Sequence, residues 1–218
     1  MAHVNPQQSG TGTAVGRFTG ENRRKLAFTY PSTMELIKRG TGEGGPRVIG
    51  PKDGKTIDLV NIGVRYLAWK NETGGGFSAV EHPIPPRTLV APLHRHQNED
   101  EYSFVLEGSM GAQLGEDVVV AHVGDFVFKP RQQWHSFWNA GDTPCRILEI
   151  ISPGGFERFF DEYHTALNDA ESKERDVAAM TELNERYEIE FKPESVDELC
   201  KRHGLSHKGE MADFALTG

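Results

Sequence analysis

His94, His96, Glu101 and His135 are the residues whose types and spacing can do chemistry, because three imidazoles and one carboxylate can converge on a single metal ion. Three of them lie between Pro92 and Gly108, in Pro-Leu-His-Arg-His-Gln-Asn-Glu-Asp-Glu-Tyr-Ser-Phe-Val-Leu-Glu-Gly. Alternate side chains of an extended strand share a face, so His94 and His96 point the same way. The polar run Gln97 to Asp100 reads as a turn, and Tyr102 to Leu106, rich in aromatic and branched residues, as the return strand with Glu101 near its start. The stretch Gly124 to Asn139 has strand-like composition on both sides of a turn centred on Pro130, which makes His135 the natural fourth ligand. Such a donor set suits one divalent transition metal ion, Fe, Mn, Ni, Co, Cu or Zn, and on an octahedral ion leaves two positions open. A dication with one carboxylate remains a positive centre that favours an anionic oxygen such as an enolate or phenolate. If Glu101 coordinates weakly, it is instead a general base, so its role is split between ligand and catalyst.

The elements that must position these residues are short strands. Ile57 to Lys70, Phe77 to Glu81, Thr88 to His96, Glu101 to Leu106, Met110 to Leu114, Val118 to His122, Asp125 to Lys129, His135 to Asn139 and Arg146 to Ile151 are separated by Gly, Pro and Asp turns, with no helix between them. This predicts a mainly β fold, a small barrel or jelly roll. Pro83, Pro85 and Pro86 mark their segment as an edge or connection rather than a central strand. After Ser152-Pro153 the period becomes helical: Phe156, Phe159, Phe160, Tyr163 and Leu167, then Val177, Met180, Leu183 and Tyr187, then Ser195 to His203 with Gly204 as its stop. The first aromatic stripe could line a pocket, but covering the outside of the barrel is the favoured reading, and the tail is read as a lid or buttress without chemistry. The expected organisation is a flexible tail over 1–25, an arm over 26–56, the barrel over 57–152 and a C-terminal helical extension over 153–218.

Alternation from Glu101 and His135 puts Ser103, Val105, Phe137 and Asn139 on the ligand face. With Phe128 they are the candidate substrate-binding residues: Phe128, Phe137 and Val105, with Leu93 or Leu114, would make an apolar pocket for a flat aromatic molecule and Ser103 or Asn139 would supply one hydrogen bond, although for each taken singly ordinary barrel filling is slightly favoured. The other histidines, His3, His82, His122, His164, His203 and His207, lack ligand partners at suitable spacing and are read as exposed or capping. A net charge of −8 argues against nucleic acid as a partner, and the basic run Arg23-Arg24-Lys25 is too short to overturn it. Cys145 and Cys200 have no metal-type pairing and are expected to be free thiols. Without an apolar run of bilayer length, the expectation is no membrane association and a cytoplasmic protein.

The two motifs resemble those of the cupin superfamily. His94, His96, Glu101 and Gly108 match its first motif, and Gly124, Pro130, His135 and Asn139 its second. Two positions depart from the pattern: Thr88 and Gln132 stand where Gly is usual, and Gln adopts the positive φ of such a turn less easily. The resemblance implies the cupin double-stranded β-helix, a jelly-roll barrel, and a ligand set like that of quercetin dioxygenase-like cupins. The expected function is a metal-dependent oxygenase acting on a small enol- or phenol-bearing molecule, aromatic ones included. Two alternatives stay open: a cupin that binds a small molecule or metal without turnover, and a metal-dependent isomerase or decarboxylase of a small oxo acid or sugar derivative. Barrels of this type expose sheet edges, and the apolar residues from Leu26 to Ile37 are candidates to cover them in a homodimer.

Overall fold

Apolar side chains at every second position, with turn residues between, fold the chain into short antiparallel strands. They are Thr56–Asp58 (β1), Gly63–Ala68 (β2), Ser78–Ile84 (β3), Leu93–His96 (β4), Asp100–Glu107 (β5), Ser109–Leu114 (β6), Asp117–His122 (β7), Phe126–Lys129 (β8), His135–Asn139 (β9), Cys145–Ser152 (β10) and Ile189–Lys192 (β11). The helices are Glu157–Asn168 (α1), Val177–Arg186 (α2) and Ser195–His203 (α3). The structure is a computed structural model, and it describes residues 47–168 and 177–207. The expected tail over 1–25 and the apolar arm from Leu26 to Ile37 lie outside those residues.

Two sheets enclose the core, one ordered β1-β2-β3-β10-β5-β8 and the other β11-β4-β9-β6-β7. Their inward side chains, among them Val64, Val80, Ile84, Val105, Met110, Ala112, Ile147 and Ile151, form the main apolar cluster. The mainly β fold with a C-terminal helical segment is therefore the one expected. Gly108 turns β5 into β6 at φ 71°, and a Cβ there would meet the Pro144 carbonyl oxygen at 2.5 Å, so this motif glycine has a steric reason. Gln132 stands at φ 64° and thus keeps the positive-φ turn without a glycine, its N–H donating to the His96 carbonyl at 2.7 Å.

Four expectations are corrected. β3 is a central, fully buried strand between β2 and β10. It tolerates Pro83 because its ladder with β2 ends at Arg65 opposite Glu81, and the proline ring lies over Gly63, where an added Cβ would be 2.7 Å from the ring. A single 3-10 turn, Lys70–Glu72, sits between β2 and β3, where only strand and loop were expected. β11 lies in the tail read as helical and pairs along all of β4, from Ile189 opposite His96 to Lys192 opposite Leu93. Finally, the aromatic stripe of α1 faces inward: Phe156 and Phe159 are buried in the main cluster, with Phe160 and Tyr163 packed against it. α3 behaves as expected, ending on Gly204 at φ 64° and covering Leu89 and Trp138 on the far face of β9.

Candidate metal centre and its cavity

β4 presents His94 and His96 inward, β5 presents Glu101, and β9 brings His135 directly opposite His94. All four side chains are buried, and one ligand atom from each lies within 4.8 Å of the others. The imidazoles are oriented by the backbone. His94 Nδ1 is 2.9 Å from the Pro92 carbonyl and His135 Nδ1 is 3.0 Å from the Gln133 carbonyl, each two residues back. A proton on Nδ1 satisfies both contacts and leaves the Nε2 lone pairs turned into the cluster, the arrangement of metal-ligating histidines. His96, also buried, has no hydrogen-bond partner on either ring nitrogen.

Glu101 is held from two sides. Its Oε2 is 3.2 Å from His135 Nε2 and 2.9 Å from Lys129 Nζ, and its Oε1 is 3.3 Å from His96 Nε2. The His135 Nε2–Glu101 Oε2 contact is a hydrogen bond if Nε2 carries the proton, and a pair of lone-pair donors for a shared cation if Nδ1 carries it. Lys129 is fully buried opposite Glu101, and its ammonium also lies 2.9 Å from Glu149 Oε1 and 4.4 Å from the centre of the Phe137 ring. The Ser103 hydroxyl donates to the other Glu149 oxygen at 2.7 Å.

These contacts set the charge states. Burial, with the neighbouring histidines, pushes His94 well below the ordinary imidazole range, and burial takes His96 down to about 4, so both are neutral at pH 7. Burial alone would raise Glu101, but the nearby Lys129, then His96 and His135, outweigh it and hold the carboxyl well below its usual range. Glu149 goes the other way, raised by burial that Lys129 only partly offsets. Neutral His94 and His96, the latter without a hydrogen-bond partner on either ring nitrogen, beside a carboxyl held well below its usual range, fit a divalent transition metal.

The cluster opens into a cavity of about 650 Å³. Its walls are mostly apolar: Phe137 from the barrel, Phe156, Phe159, Phe160 and Tyr163 from the α1 region, Met180 from α2 and Phe191 from β11. The Phe156 ring stands edge-on to His96 at 4.4 Å, and Phe191 lies 5.5 Å from His94. Polar wall groups include Glu149, Asn61, Asn184 and two histidines, His82 and His207. No lysine or arginine lines it among the described residues.

Of the five residues expected to bind substrate, only Phe137 reaches this cavity. Ser103 is turned to Glu149, and Val105 is wholly buried in the core. Asn139 is locked into the turn after β9, donating to the Ile84 and Thr143 carbonyls and accepting from the Gly141 N–H. Phe128 points out of the barrel, 47% exposed and stacked on Tyr102. His82 is not exposed as expected but buried, with Nδ1 2.9 Å from the Gly63 carbonyl, and burial brings its pKa down to about 4. The two cysteines are free thiols, and no described helix is long and apolar enough to cross a membrane.

Residues 81–151 match the family model described as Cupin domain. Over 116 residues, 53% of this chain and 86% of the relative, the sequence is 28% identical to an uncharacterized protein of Methanocaldococcus jannaschii. Among solved structures it is similar to a predicted oxalate decarboxylase of Thermotoga maritima, with 22% identity, a TM-score of 0.46, and coverage of 49% of this chain and 98% of that one. It is also similar to the ectoine synthase of P. lautus, at 18% identity and a TM-score of 0.42, over 50% of this chain and 77% of that one.

Proposed function

From a cupin domain over residues 81–151 as premise, we propose that the chain is a metal-dependent oxygenase of the quercetin dioxygenase-like kind, acting on a small enol- or phenol-bearing molecule with an apolar, flat body. The observation that carries this reading is the pairing of the His94, His96, Glu101 and His135 cluster with a cavity whose walls are largely apolar and aromatic and, among the described residues, hold no lysine or arginine. A polyanion would meet two carboxylates, Glu101 and Glu149, and no ammonium or guanidinium in the wall. A ligand with one acidic oxygen needs no such partner, because that oxygen is matched by the metal.

The three imidazoles and Glu101 would hold the ion. When bound, it supplies a positive, redox-capable centre that lowers the pKa of an enol or phenol. The chain's own residues do the rest. Phe137, Phe156, Phe159 and Phe160 grip a planar body and keep water from the reacting end. Glu101, with contacts to both oxygens, suits the part of ligand better than that of free base. Glu149 lines the cavity beside it and, with its pKa raised by burial, is the candidate acceptor for a substrate hydroxyl proton. Dioxygen would supply both inserted oxygen atoms, so no external reductant is required.

The test begins with elemental mass spectrometry on protein purified without chelator or nickel resin, beside His96→Ala. Near-stoichiometric Fe, Mn, Ni, Co or Cu in the wild type, lost in the variant, is expected, followed by oxygen uptake with a flavonol or catechol. Metal with tight binding but no turnover would replace the reading with a binding cupin, and turnover without oxygen with an isomerase or decarboxylase. Equal metal in both proteins would remove the proposed centre itself.

A further inference from the structure

His82 is a polar group of the cavity wall that the proposed chemistry leaves unused. It lies on the interior face of β3, opposite Ile147 of β10 and in the same row as Val105 of β5, so it stands further along the barrel than Glu101 as well as two strands across. Its Nδ1 is 2.9 Å from the Gly63 carbonyl, which can only accept, so the proton of the neutral ring sits on Nδ1. Nε2 is then a lone pair. It has no hydrogen-bond partner among the described residues, although the side chain is only 2% exposed and lines the cavity. Leucine or phenylalanine would fill this wall without burying an unmatched acceptor, so packing alone does not account for an imidazole here.

Two phenyl rings separate His82 from the clustered residues. Phe160 stands edge-on to His82 at 5.3 Å, Phe156 edge-on to Phe160 at 5.4 Å, and His96 edge-on to Phe156 at 4.4 Å. A flat molecule lying along this wall, with an acidic oxygen at the cluster, therefore spans more than one ring before it reaches Nε2. We propose that His82 is a second anchor for the ligand, accepting at Nε2 a hydrogen bond from a hydroxyl on the end of the molecule remote from the metal. His82 takes this part only if an acidic oxygen binds at the cluster as proposed above, and the substrates then narrow to two-ring phenols or enols with a neutral donor at the far end. A carboxylate or phosphate there would set lone pair against lone pair, and an unsubstituted ring would leave Nε2 unmatched.

The test is binding, measured by fluorescence titration under nitrogen with zinc-loaded full-length protein. The probes are a flavonol with an unsubstituted phenyl ring and its counterpart with a para-hydroxyl on that ring. The wild type should bind the hydroxylated probe roughly 10–100-fold tighter, the range for matching rather than abandoning a buried acceptor. His82→Phe, which keeps a ring edge-on to Phe160, should weaken that probe alone and bring the two within about 3-fold of each other. His82→Leu provides the same readout should the phenylalanine variant fail to fold. His96→Ala should weaken both probes alike, because it removes a residue of the metal anchor. A wild type that binds both probes equally, while His96→Ala still weakens both, overturns the part given to His82 and leaves the metal anchor standing. A preference that survives His82→Phe also overturns it, moving the hydroxyl's partner to Asn61 and His207, whose Nδ2 and Nδ1 are 2.9 Å apart. Binding of neither probe, or binding indifferent to His96→Ala, removes the reading of the site and the part of His82 with it.

Discussion

Lys129→Met tests whether the buried ammonium is what allows two carboxylates to share the floor of the site. Methionine keeps the length and apolar stem but removes the charge facing Glu101 and Glu149, each 2.9 Å away. Two unneutralised buried carboxylates cannot both stay ionised, and the least costly escape is for one to bind a proton. An ordinary carboxyl here titrates near 4.5, so holding that proton at pH 7 costs about 3 kcal/mol at ~1.4 kcal/mol per pH unit. The melting midpoint should fall by roughly 6–12 °C. The sign of the pH dependence follows from where the proton sits. It is bound in the folded variant and absent from the unfolded chain above pH 4.5, so the penalty vanishes below that value and grows as pH rises. Urea denaturation with chelator present, at pH 5, 7 and 8, measures it, and adding Glu149→Gln to Lys129→Met should recover most of the loss. Added divalent metal should also raise the variant's midpoint more than the wild type's. A deficit equal at pH 5 and pH 8, unrelieved by Glu149→Gln, would refute the electrostatic reasoning and leave a packing defect.

His82 is buried and neutral, its pKa held near 4 against an ordinary 6.5, so it contributes stability above pH 6.5 that is lost as pH falls toward 4, about 3 kcal/mol in all. In the metal-free protein His82→Gln should flatten acid denaturation relative to wild type in that window, and parallel pH profiles would remove the claim. Gln132→Gly relaxes a left-handed residue at φ 64° and should raise stability by about 0.5–1 kcal/mol, read as a higher urea midpoint at unchanged slope. A lowered midpoint would mean that the Gln side chain contributes more than its backbone costs.

The four clustered residues were legible because strand parity and two turns suffice to bring them together, and β9 runs over the expected residues His135 to Asn139. Lys129 was not, since the pattern Phe-Val-Phe-Lys invites a reader to bury the phenylalanines, whereas the register sets Lys129 opposite Glu101 and turns the rings out. A signal for Glu149 was present: in Cys145 to Ser152 it shares the inward parity of Cys145, Ile147 and Ile151, and an ionisable residue there requires a buried partner. The cavity wall of the α1 region was misplaced because an apolar helical stripe states that a face is buried, not against what. β11 was hidden for a related reason. Ile189 to Lys192 is four residues long, and its pairing with β4 is a long-range choice that local pattern does not encode.

That pairing gives the candidate metal centre a place in time as well as in space. Phe191 sits opposite His94, so the strand carrying two of the ligands waits for a neighbour made almost a hundred positions later. A chain emerging from the ribosome would complete β9 and β10 with one edge of β4 still open to water, its histidines facing an unroofed barrel. Closing so long a loop is slow, because its entropy must be lost before any contact offsets it. A metal ion that arrives in that interval meets ligands without the aromatic roof of Phe156, Phe159 and Phe191.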